Sequence, residues 1–324
     1  MDSTALAVLT SGGDAPGMNA ALRSVVRMAA YRNFDVVGFR RGFTGLLQED
    51  AVALLPRGVA NVLQRGGTIL KTDRCAEFLE PAGPERASRI LNTRGVSALI
   101  VIGGDGSFRG ADALGQVWPG RIIGVPATID NDIWGTDETI GFDTALNTAL
   151  EAIDRIRDTA SSHDRLFLVE VMGRSSGFIA LDVATAGGAE EALVPESMSS
   201  IDDCCQHLMA ARASGKVMSI LIIAEGHEEG DAFEVARKIE QRIGLESRVT
   251  VLGHIQRGGR PTARDRILAT KLGAFAVEAI VEGKNGVMVG EVRGELVTTP
   301  LQETWTRKKP LDPFLKKLLP ILAK

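Results

Sequence analysis

The sequence contains few of the residues that build disulfide frameworks and zinc sites. Its 324 residues include 3 cysteines and 4 histidines. Cys204 and Cys205 are adjacent, and the histidines lack the spacing of metal ligands. Neither a secreted disulfide scaffold nor a zinc protein is therefore indicated, and we expect a reducing, cytoplasmic environment.

Long hydrophobic runs are also lacking, and so is an excess of either charge. The apolar runs 98–102 and 220–224 have the length of core strands and are far too short to span a bilayer. The N-terminal sequence MDSTALAVLTSGGD has no basic start and no small-residue cleavage site, so we expect no signal peptide. With 37 Lys and Arg against 41 Asp and Glu, the net charge of −4 is too small to attract nucleic acid or an anionic membrane, and we expect neither as a partner.

What is present is the composition of an ordinary globular enzyme, 44% hydrophobic and 24% charged, with a length that corresponds to about two domains. Short apolar runs alternate with amphipathic ones, which predicts an α/β fold with mostly parallel sheets. Asp14 and Pro16 suit the cap and first turn of the first helix. Capping pairs start two further helices: Ser200 with Asp203, and Asp231 with Glu234. The predicted strands are 5–9, 98–102, 122–125, 166–171, 217–223 and 249–252, and the predicted helices are 16–32, 143–158, 200–215, 231–244 and 261–282.

Glycine-rich turns follow three of these strands: TSGGDAPG (10–17), GGDGS (103–107) and MGRSSG (172–177). Main-chain N–H groups at the start of a helix, unshielded by side chains, bind phosphate well. Any one of these segments also fits a plain structural turn, but together they favour phosphate binding. Neither 104–109 nor 66–72 completes a dinucleotide or P-loop motif, so a Rossmann dehydrogenase and a Walker-type NTPase are not indicated.

The segment TIDND (128–132) follows the strand 122–125 and carries two carboxylates. In an extended segment, Asp130 and Asp132 would project the same way. One carboxylate could then bind Mg²⁺ and the other a reacting hydroxyl, with Asp105 completing the oxygen shell of the metal. A solvated turn is the alternative for this segment taken alone.

Several arginines lie next to a glycine, a strand end or a polar turn, where their guanidinium groups could bind phosphate oxygens. Taken singly, each of them fits a surface arginine equally well. HIQRGG (254–259) is more specific, because it groups polar side chains directly after a strand. The arginines in question are Arg65, Arg74, Arg165, Arg174, Arg248 and Arg257.

Taken together, the blocks 10–20, 103–107, 128–132, 172–174 and 253–259 resemble the ATP-dependent 6-phosphofructokinases of the bacterial short-form type. The resemblance runs in order over nearly the whole chain. It implies transfer of the γ-phosphate of ATP to the 1-hydroxyl of fructose 6-phosphate, which gives fructose 1,6-bisphosphate and ADP in the committed step of glycolysis. It also implies two similar three-layer α/β domains: 1–141 plus 256–306 for ATP, and 142–255 plus 307–324 for fructose 6-phosphate.

The resemblance also implies a role for each residue of the site. Asp130 would be the base that takes the proton of the 1-hydroxyl, assisted by Thr128 and Arg174, while Asp105 and Asp132 would hold Mg²⁺. The ATP residues would be Gly13, Arg74, Cys75, Gly104, Asp105, Gly106 and Ser107. The fructose 6-phosphate residues would be Thr128, Asp130, Met172, Gly173, Arg174, Glu225, His254 and Arg257. Arg165 and Arg248 would reach the 6-phosphate from a neighbouring subunit, which implies a homotetramer with shared active sites.

Arg23 and Arg27 lie four residues apart and share one face of the first helix. Without context this is a solvated basic face. The resemblance implies an effector site, completed by Arg57, Arg157, Glu190 and Lys216, that binds ADP as activator or phosphoenolpyruvate as inhibitor. Three positions, Ala60, Asn61 and Ser214, lack polar or charged groups common in the family, so the identity of the effector and its sign stay open.

Two small residues, Gly106 and Ala127, indicate which phosphoryl donor the chain uses. Pyrophosphate-using relatives place Asp at the position of Gly106 and Lys at that of Ala127, so this chain is expected to use ATP. Three alternatives remain: a pyrophosphate-dependent enzyme, a non-catalytic nucleotide-sensing subunit, and a kinase for a related phosphosugar. The residues that argue against the sensor, since a sensor needs no base, are Asp130, Asp132, Asp105 and Arg174.

Overall fold

The computed structural model describes residues 4–160, 165–196, 200–216 and 218–322. The chain divides into two compact units, each built from several segments. Unit 1 comprises Met1–Thr128, Ile133–Thr144 and Arg257–Lys309, and unit 2 comprises Ile129–Asp132, Ala145–Gln256 and Pro310–Lys324.

Strands and helices alternate along the chain, as expected for an α/β fold. The strands are β1 (Thr4–Thr10), β2 (Phe34–Phe39), β3 (Ala51–Ala53), β4 (Val96–Gly103), β5 (Arg121–Pro126), β6 (Leu166–Val171), β7 (Glu191–Leu193), β8 (Ser219–Ala224), β9 (Ser247–Val251), β10 (Val287–Val292) and β11 (Glu295–Pro300). The helices are α1 (Met18–Tyr31), α2 (Gly42–Leu47), α3 (Ala82–Thr93), α4 (Asp105–Gly115), α5 (Phe142–Ala160), α6 (Phe178–Gly187), α7 (Ile201–Ala213), α8 (Ala232–Ile243), α9 (Ala263–Val281), α10 (Glu303–Thr306) and α11 (Pro313–Leu322). Short 3₁₀ turns span Ala76–Leu79 and Gly253–Arg257.

Unit 1 contains a sheet of seven described strands in the order β11-β10-β5-β4-β1-β2-β3. Its pairs are parallel except at the two edges, where β2 pairs with β3 and β10 with β11 in antiparallel fashion. The central strand β4 is buried on both faces and packs with Phe39 and Phe108 in one core, beside the stacked rings of Phe43 and Phe78. Because β1, β4 and β5 are neighbours and parallel, the loops that leave their carboxyl ends lie side by side.

Unit 2 contains a sheet of four described strands in the order β7-β8-β6-β9, all parallel. Its core joins Leu168 and Ile223 of the sheet to Ile239 of α8 and Cys204 of α7. Burial raises the pKa of the Cys204 thiol, which suits packing rather than nucleophilic chemistry. The loops after β8, β6 and β9 are neighbours for the same reason as in unit 1.

The predicted strands and helices are found with bounds that shift by a few residues, except that Val217 lies outside the described residues. Both capping pairs form reciprocal capping boxes at the starts of α7 and α8. The prediction did not include the strands β2, β3, β7, β10 and β11. Among the described residues, no helix has the length and hydrophobicity needed to cross a membrane.

The predicted cap of the first helix is wrong. The helix α1 begins at Met18, and its N-cap is Gly17, with φ 109° and no side-chain cap. A Cβ at Gly17 would lie 2.6 Å from Ile140, so the chain enters the helix through a close, left-handed turn that only glycine permits. Asp14 and Pro16 belong to the loop before it.

Candidate active site

In unit 1, main-chain hydrogen bonds join the loop after β1 to the end of β4 and to the segment around Asp73. Ser11 N donates to Ile102 O at 3.0 Å, and Gly12 N donates to Asp73 O at 3.3 Å. The second bond brings the segment that carries Arg74 beside the β1 loop. The glycine-rich loop after β1 therefore lies between the end of β4 and the segment that carries Arg74.

The β4 loop has the features of a phosphate-binding turn. A Cβ at Gly103 would lie 2.5 Å from Ser107 Oγ and 2.6 Å from Ser11 O, so this position requires glycine. Gly104 caps α4 without a side chain, which leaves the first N–H groups of the helix unshielded. Ser107 is 5% exposed, and its Oγ has no hydrogen-bond partner among the described residues. A buried hydroxyl of this kind fits a ligand oxygen.

The residues predicted to bind ATP all lie in unit 1. The segment 104–107 forms the N-cap and first turn of α4, Gly13 lies in the β1 loop, Arg74 is exposed and Cys75 is half-buried. A Cβ at Gly106 would meet nothing within 4 Å, so there is open space beside it.

Asp105 offers a carboxylate that fits a magnesium ion. Its side chain is 32% exposed and lies 3.9 Å from Arg109 Nη2. Among the described residues, no group of three or more His, Cys, Asp and Glu side chains forms a metal cluster. Magnesium sites commonly use one or two carboxylates and complete their shell with substrate phosphates and water, so this donor set suits the ion.

Arg257 lies against the β1 loop of the same unit. Its Nη1 donates to Asp14 O at 3.1 Å, and a Cβ at Gly13 would lie only 2.5 Å from that nitrogen. The guanidinium group therefore occupies the space that any other residue at position 13 would fill.

The segment 128–132 is not extended, so the predicted conformation of this segment is wrong. Ile129 and Asp130 form a turn, and Asn131 follows with φ 53°. Thr128 is 8% exposed and Asp130 is 7% exposed. Thr139 Oγ1 donates to Thr128 O at 2.7 Å, which anchors the start of the turn. Because the turn breaks the two-residue alternation, the directions of Asp130 and Asp132 are set by the turn and not by strand geometry.

In unit 2, the predicted sugar-phosphate residues cluster at the carboxyl ends of β6, β8 and β9. Met172, Gly173 and Arg174 follow β6 in a tight turn, with φ 150° at Gly173 and 57° at Arg174. Glu225 follows β8, and its Oε1 accepts the Arg174 N–H at 3.0 Å. His254 lies exposed in the 3₁₀ turn after β9. The structure thus brings these residues together on neighbouring loops.

Two buried side chains in these loops were not predicted from the sequence. Gln256 has no exposed surface, and its Oε1 accepts the Met172 N–H at 2.8 Å. Ser176 is 5% exposed, and its Oγ donates to Asp130 O at 2.8 Å. Both lie inside the recognised motifs. Polar residues buried within otherwise exposed glycine turns are the signal that would have identified them.

Arg165 and Arg248 lie apart from this cluster. Arg165 immediately precedes β6, and Arg248 is the second residue of β9. Both are therefore at the amino ends of their strands, at the opposite edge of the unit 2 sheet from Arg174. Arg248 Nη1 contacts Glu246 Oε1 at 2.9 Å, and Arg165 lines a cavity of about 230 Å³ with Arg212 and Lys216.

The predicted effector residues fall into two groups, one in each unit. In unit 1, Arg23 is half-buried and Arg27 exposed on α1, and Arg57 is exposed in a turn. In unit 2, the buried Glu190 accepts the Ile220 N–H and pairs with Lys216 Nζ at 2.7 Å. Arg157 Nε donates to Gly187 O at 2.9 Å, three residues before Glu190.

A further buried carboxylate in unit 1, on the first turn of α9, holds the start of α5. Asp265 is 1% exposed and accepts hydrogen bonds from Gly141 N at 2.7 Å, Thr144 N at 2.8 Å and Thr144 Oγ1. Burial raises the pKa of Asp265 to about 6, although the hydrogen bonds from Thr144 and Gly141 act to lower it. This carboxylate is structural, because its acceptor oxygens are used by the main chain.

Comparison with known proteins gives a consistent result. A family model described as phosphofructokinase matches residues 5–280. The ATP-dependent 6-phosphofructokinase 1 of Thermus thermophilus is 55% identical over 318 residues, which cover 98% of this chain and 99% of that protein. The ATP-dependent 6-phosphofructokinase of Halothermothrix orenii is 48% identical over 328 residues, again with 98% and 99% covered.

Solved structures share the fold. The crystal structure of Pichia pastoris phosphofructokinase in the T-state matches with a TM-score of 0.89 at 36% identity over 94% of this chain, which spans only 36% of that longer chain. The pyrophosphate-dependent phosphofructokinase from Marinobacter aquaeolei matches with a TM-score of 0.83 over 99% of this chain and 91% of its own. At 23% identity, that second likeness concerns the fold alone.

Proposed function

The chain belongs to the phosphofructokinase family, and on that premise we propose that it transfers the γ-phosphate of ATP to the 1-hydroxyl of fructose 6-phosphate. The products are fructose 1,6-bisphosphate and ADP. Relatives that are 48–55% identical over nearly the full length and named ATP-dependent 6-phosphofructokinase support this activity. As the committed step of glycolysis, the reaction belongs in the cytoplasm.

One observation of the structure carries the proposal furthest: the buried residue Asp130 is bonded to the same unit 2 turn that bears Arg174. A carboxylate and a guanidinium group on linked turns supply the two functions that phosphoryl transfer to an alcohol requires. One accepts the proton of the hydroxyl, and the other stabilises charge on the transferring phosphoryl group.

The chain's own residues then take the following roles. Asp130 accepts the proton of the sugar 1-hydroxyl as the oxygen attacks, Arg174 binds phosphoryl oxygens, and Thr128 orients the reacting groups. Magnesium, when bound, neutralises the charge of the phosphates, and Asp105 and Asp132 would supply its carboxylate ligands.

We propose that unit 1 binds ATP and unit 2 binds fructose 6-phosphate. The unit 1 loops would bind the nucleotide phosphates through main-chain N–H groups and Ser107 Oγ, next to Arg74 and Cys75. In unit 2, Met172, Glu225 and His254 would hold the sugar phosphate. By the family resemblance, Arg257 of unit 1 also belongs to the residues that bind fructose 6-phosphate.

A homotetramer with shared active sites is part of this proposal. Arg165 and Arg248 lie at the opposite edge of the unit 2 sheet from Arg174, so within one chain they do not join the other sugar-phosphate residues. Their contribution to the 6-phosphate of a neighbouring subunit's substrate would explain that position.

The choice of donor rests on the space around position 106. A Cβ at Gly106 would meet nothing within 4 Å, and Ala127 is 1% exposed, so neither residue brings charge or bulk to the nucleotide loops. A carboxylate at position 106 would repel the α-phosphate of ATP. The pyrophosphate-dependent alternative is therefore not favoured.

Allosteric control by ADP or phosphoenolpyruvate is also part of the proposal. The pair Glu190–Lys216 and the neighbouring Arg157 form a compact charged group in unit 2 that suits an anionic ligand. Arg23, Arg27 and Arg57 would add cations from unit 1.

A steady-state assay tests the proposed function. The purified protein is supplied with fructose 6-phosphate, Mg²⁺ and either ATP or pyrophosphate, each with and without ADP and phosphoenolpyruvate. We expect turnover with ATP alone as donor. Turnover only with pyrophosphate would contradict the donor assignment, and turnover with neither would favour a sensor or another phosphosugar.

A further inference from the structure

A buried hydrogen bond joins the turn after β6 to the segment that carries Asp130. Ser176 Oγ donates to the main-chain carbonyl of Asp130 at 2.8 Å, across 46 positions of sequence, and both residues belong to unit 2. Ser176 is 5% exposed and Asp130 is 7% exposed, so water competes little for either group.

The donor hydroxyl is held in place by its own turn. Four main-chain N–H groups of residues 172–177 have fixed acceptors, three of them on side chains. The acceptors are Gln256 Oε1 for Met172 (2.8 Å), Glu225 Oε1 for Arg174 (3.0 Å), Gly173 O for Ser176 (2.9 Å) and Glu196 Oε1 for Gly177 (2.9 Å). A Cβ at Gly173 would lie 2.4 Å from Ser176 O, so the turn is also closely packed on itself.

The acceptor of this hydrogen bond, the main-chain carbonyl of Asp130, lies directly beside the Asp130 side chain in the covalent structure. Asp130 occupies a turn, and Asn131 follows in the left-handed region at φ 53°. Fixing the carbonyl of Asp130 fixes the rotation about its Cα–C bond, and with it the direction in which the Cα–Cβ bond leaves the main chain. A hydroxyl bonded to the main-chain carbonyl of Asp130 can therefore affect where the carboxylate points.

We propose that Ser176 is a positioning residue for Asp130, acting through the Asp130 main-chain carbonyl. The proposal rests on the proposed function, in which Asp130 accepts the proton of the attacking hydroxyl. A base acts only within hydrogen-bond reach of its proton, and a displacement of about 1 Å can cost ~10²-fold in rate.

This role predicts a specific kinetic change. In Ser176→Ala, the carbonyl of Asp130 loses its buried donor, and the turn relaxes. We expect kcat to fall by roughly 10-fold to 100-fold. Arg174 and Glu225 keep their own contacts, so KM for fructose 6-phosphate and for ATP should change by less than about twofold.

A matched control is available in unit 1. Ser88 is 7% exposed, and its Oγ donates to the main-chain carbonyl of Val117 at 3.0 Å. Ser88→Ala removes the same kind of buried bond away from all proposed site residues. It should lower the melting temperature like Ser176→Ala and leave kcat at the wild-type value.

The experiment compares kcat, KM and melting temperature for Ser176→Ala, Ser176→Thr, Ser176→Cys and Ser88→Ala, together with Asp130→Ser. Threonine keeps the hydroxyl donor and should restore most of kcat, whereas cysteine, a weak donor, should lie between threonine and alanine. A wild-type kcat in the alanine variant would overturn the proposal. If the alanine variant does not fold, a wild-type kcat in the cysteine variant would do so.

Asp130→Ser separates this proposal from the proposed function. If Asp130→Ser is inactive while Ser176→Ala retains wild-type kcat, only the role of Ser176 is lost. If Asp130→Ser keeps full turnover, Asp130 is not the base, and Ser176 has no base to position.

Discussion

The guanidinium group of Arg257 fills the space above Gly13, where a Cβ would lie 2.5 Å from Nη1. Gly13→Ala should therefore displace Arg257 rather than the main chain, because the close atoms are the end of a flexible side chain. We expect KM for fructose 6-phosphate to rise roughly tenfold, as for loss of one charge-assisted hydrogen bond. The melting temperature should change by less than about 2 °C.

The control for this substitution is Gly115→Ala at the end of α4. Its Cβ would meet only Ile122 Cδ1 at 3.7 Å, an ordinary contact, so kinetics should match the wild type. A Gly13→Ala variant with unchanged KM would show that the position of Arg257 does not matter for the sugar phosphate.

Asp130→Ser removes the proposed base. We expect kcat to fall by at least ~10²–10⁴, about 3–5 kcal/mol in the barrier, while ATP still binds. Single-turnover kinetics and calorimetric titration of ATP measure the two effects, and the melting temperature checks the fold. Near-normal turnover would contradict the assignment of the base.

Arg165→Ala should mainly raise KM for fructose 6-phosphate, by roughly tenfold or more, with a smaller change in kcat. Arg212→Ala is the control, because Arg212 lines the same cavity of about 230 Å³ but belongs to no proposed site. Equal KM values in the two variants and the wild type would remove Arg165 from the substrate site.

The raised pKa of Asp265 predicts that the free energy of unfolding depends on pH. Its pKa of about 6 lies above the ordinary value of 3.8, so the folded protein holds this proton more tightly than the unfolded chain. The contribution of Asp265 to the free energy of unfolding therefore increases as pH falls from about 6 to about 4, by roughly 3 kcal/mol.

Denaturant unfolding at pH 4–7 checks this prediction. Asp265→Asn should be less stable at pH 7, because an amide cannot accept all three hydrogen bonds, and should show a flatter dependence between pH 4 and 6. Thr144→Val removes one donor to the same carboxylate. It should therefore move the pH range over which stability changes to higher pH. An Asp265→Asn variant with the wild-type slope would contradict the assignment.

Much of the fold was predictable from the sequence, because buried parallel strands such as 98–102 are continuous apolar runs and α7 and α8 carry capping boxes. The short strands β3 and β7, of three residues each, were not predicted, since so few residues show no periodicity. The edge strand β11 has no buried residue, and its pairing with β10 depends on the tertiary structure.

The candidate site was less predictable. Residue types at strand ends indicated phosphate chemistry. The predicted extended conformation of the segment 128–132 was wrong, because nothing in the local sequence reveals that Asn131 adopts a left-handed conformation. The inward direction of Ser176 and Gln256 was equally hidden, since it follows from contacts between loops that are distant in sequence.

The ion pair between Lys216 and the buried Glu190 has a consequence for any ligand at the proposed effector site. A ligand anion that binds the Lys216 ammonium competes with a carboxylate that cannot turn to water. If the ligand anion binds Lys216, the buried Glu190 carboxyl group loses its ion-pair partner. Weakly charged anions would therefore not bind at this site. An allosteric response would be confined to ligands with enough negative charge to compete for Lys216, or with a positive group of their own to pair with Glu190.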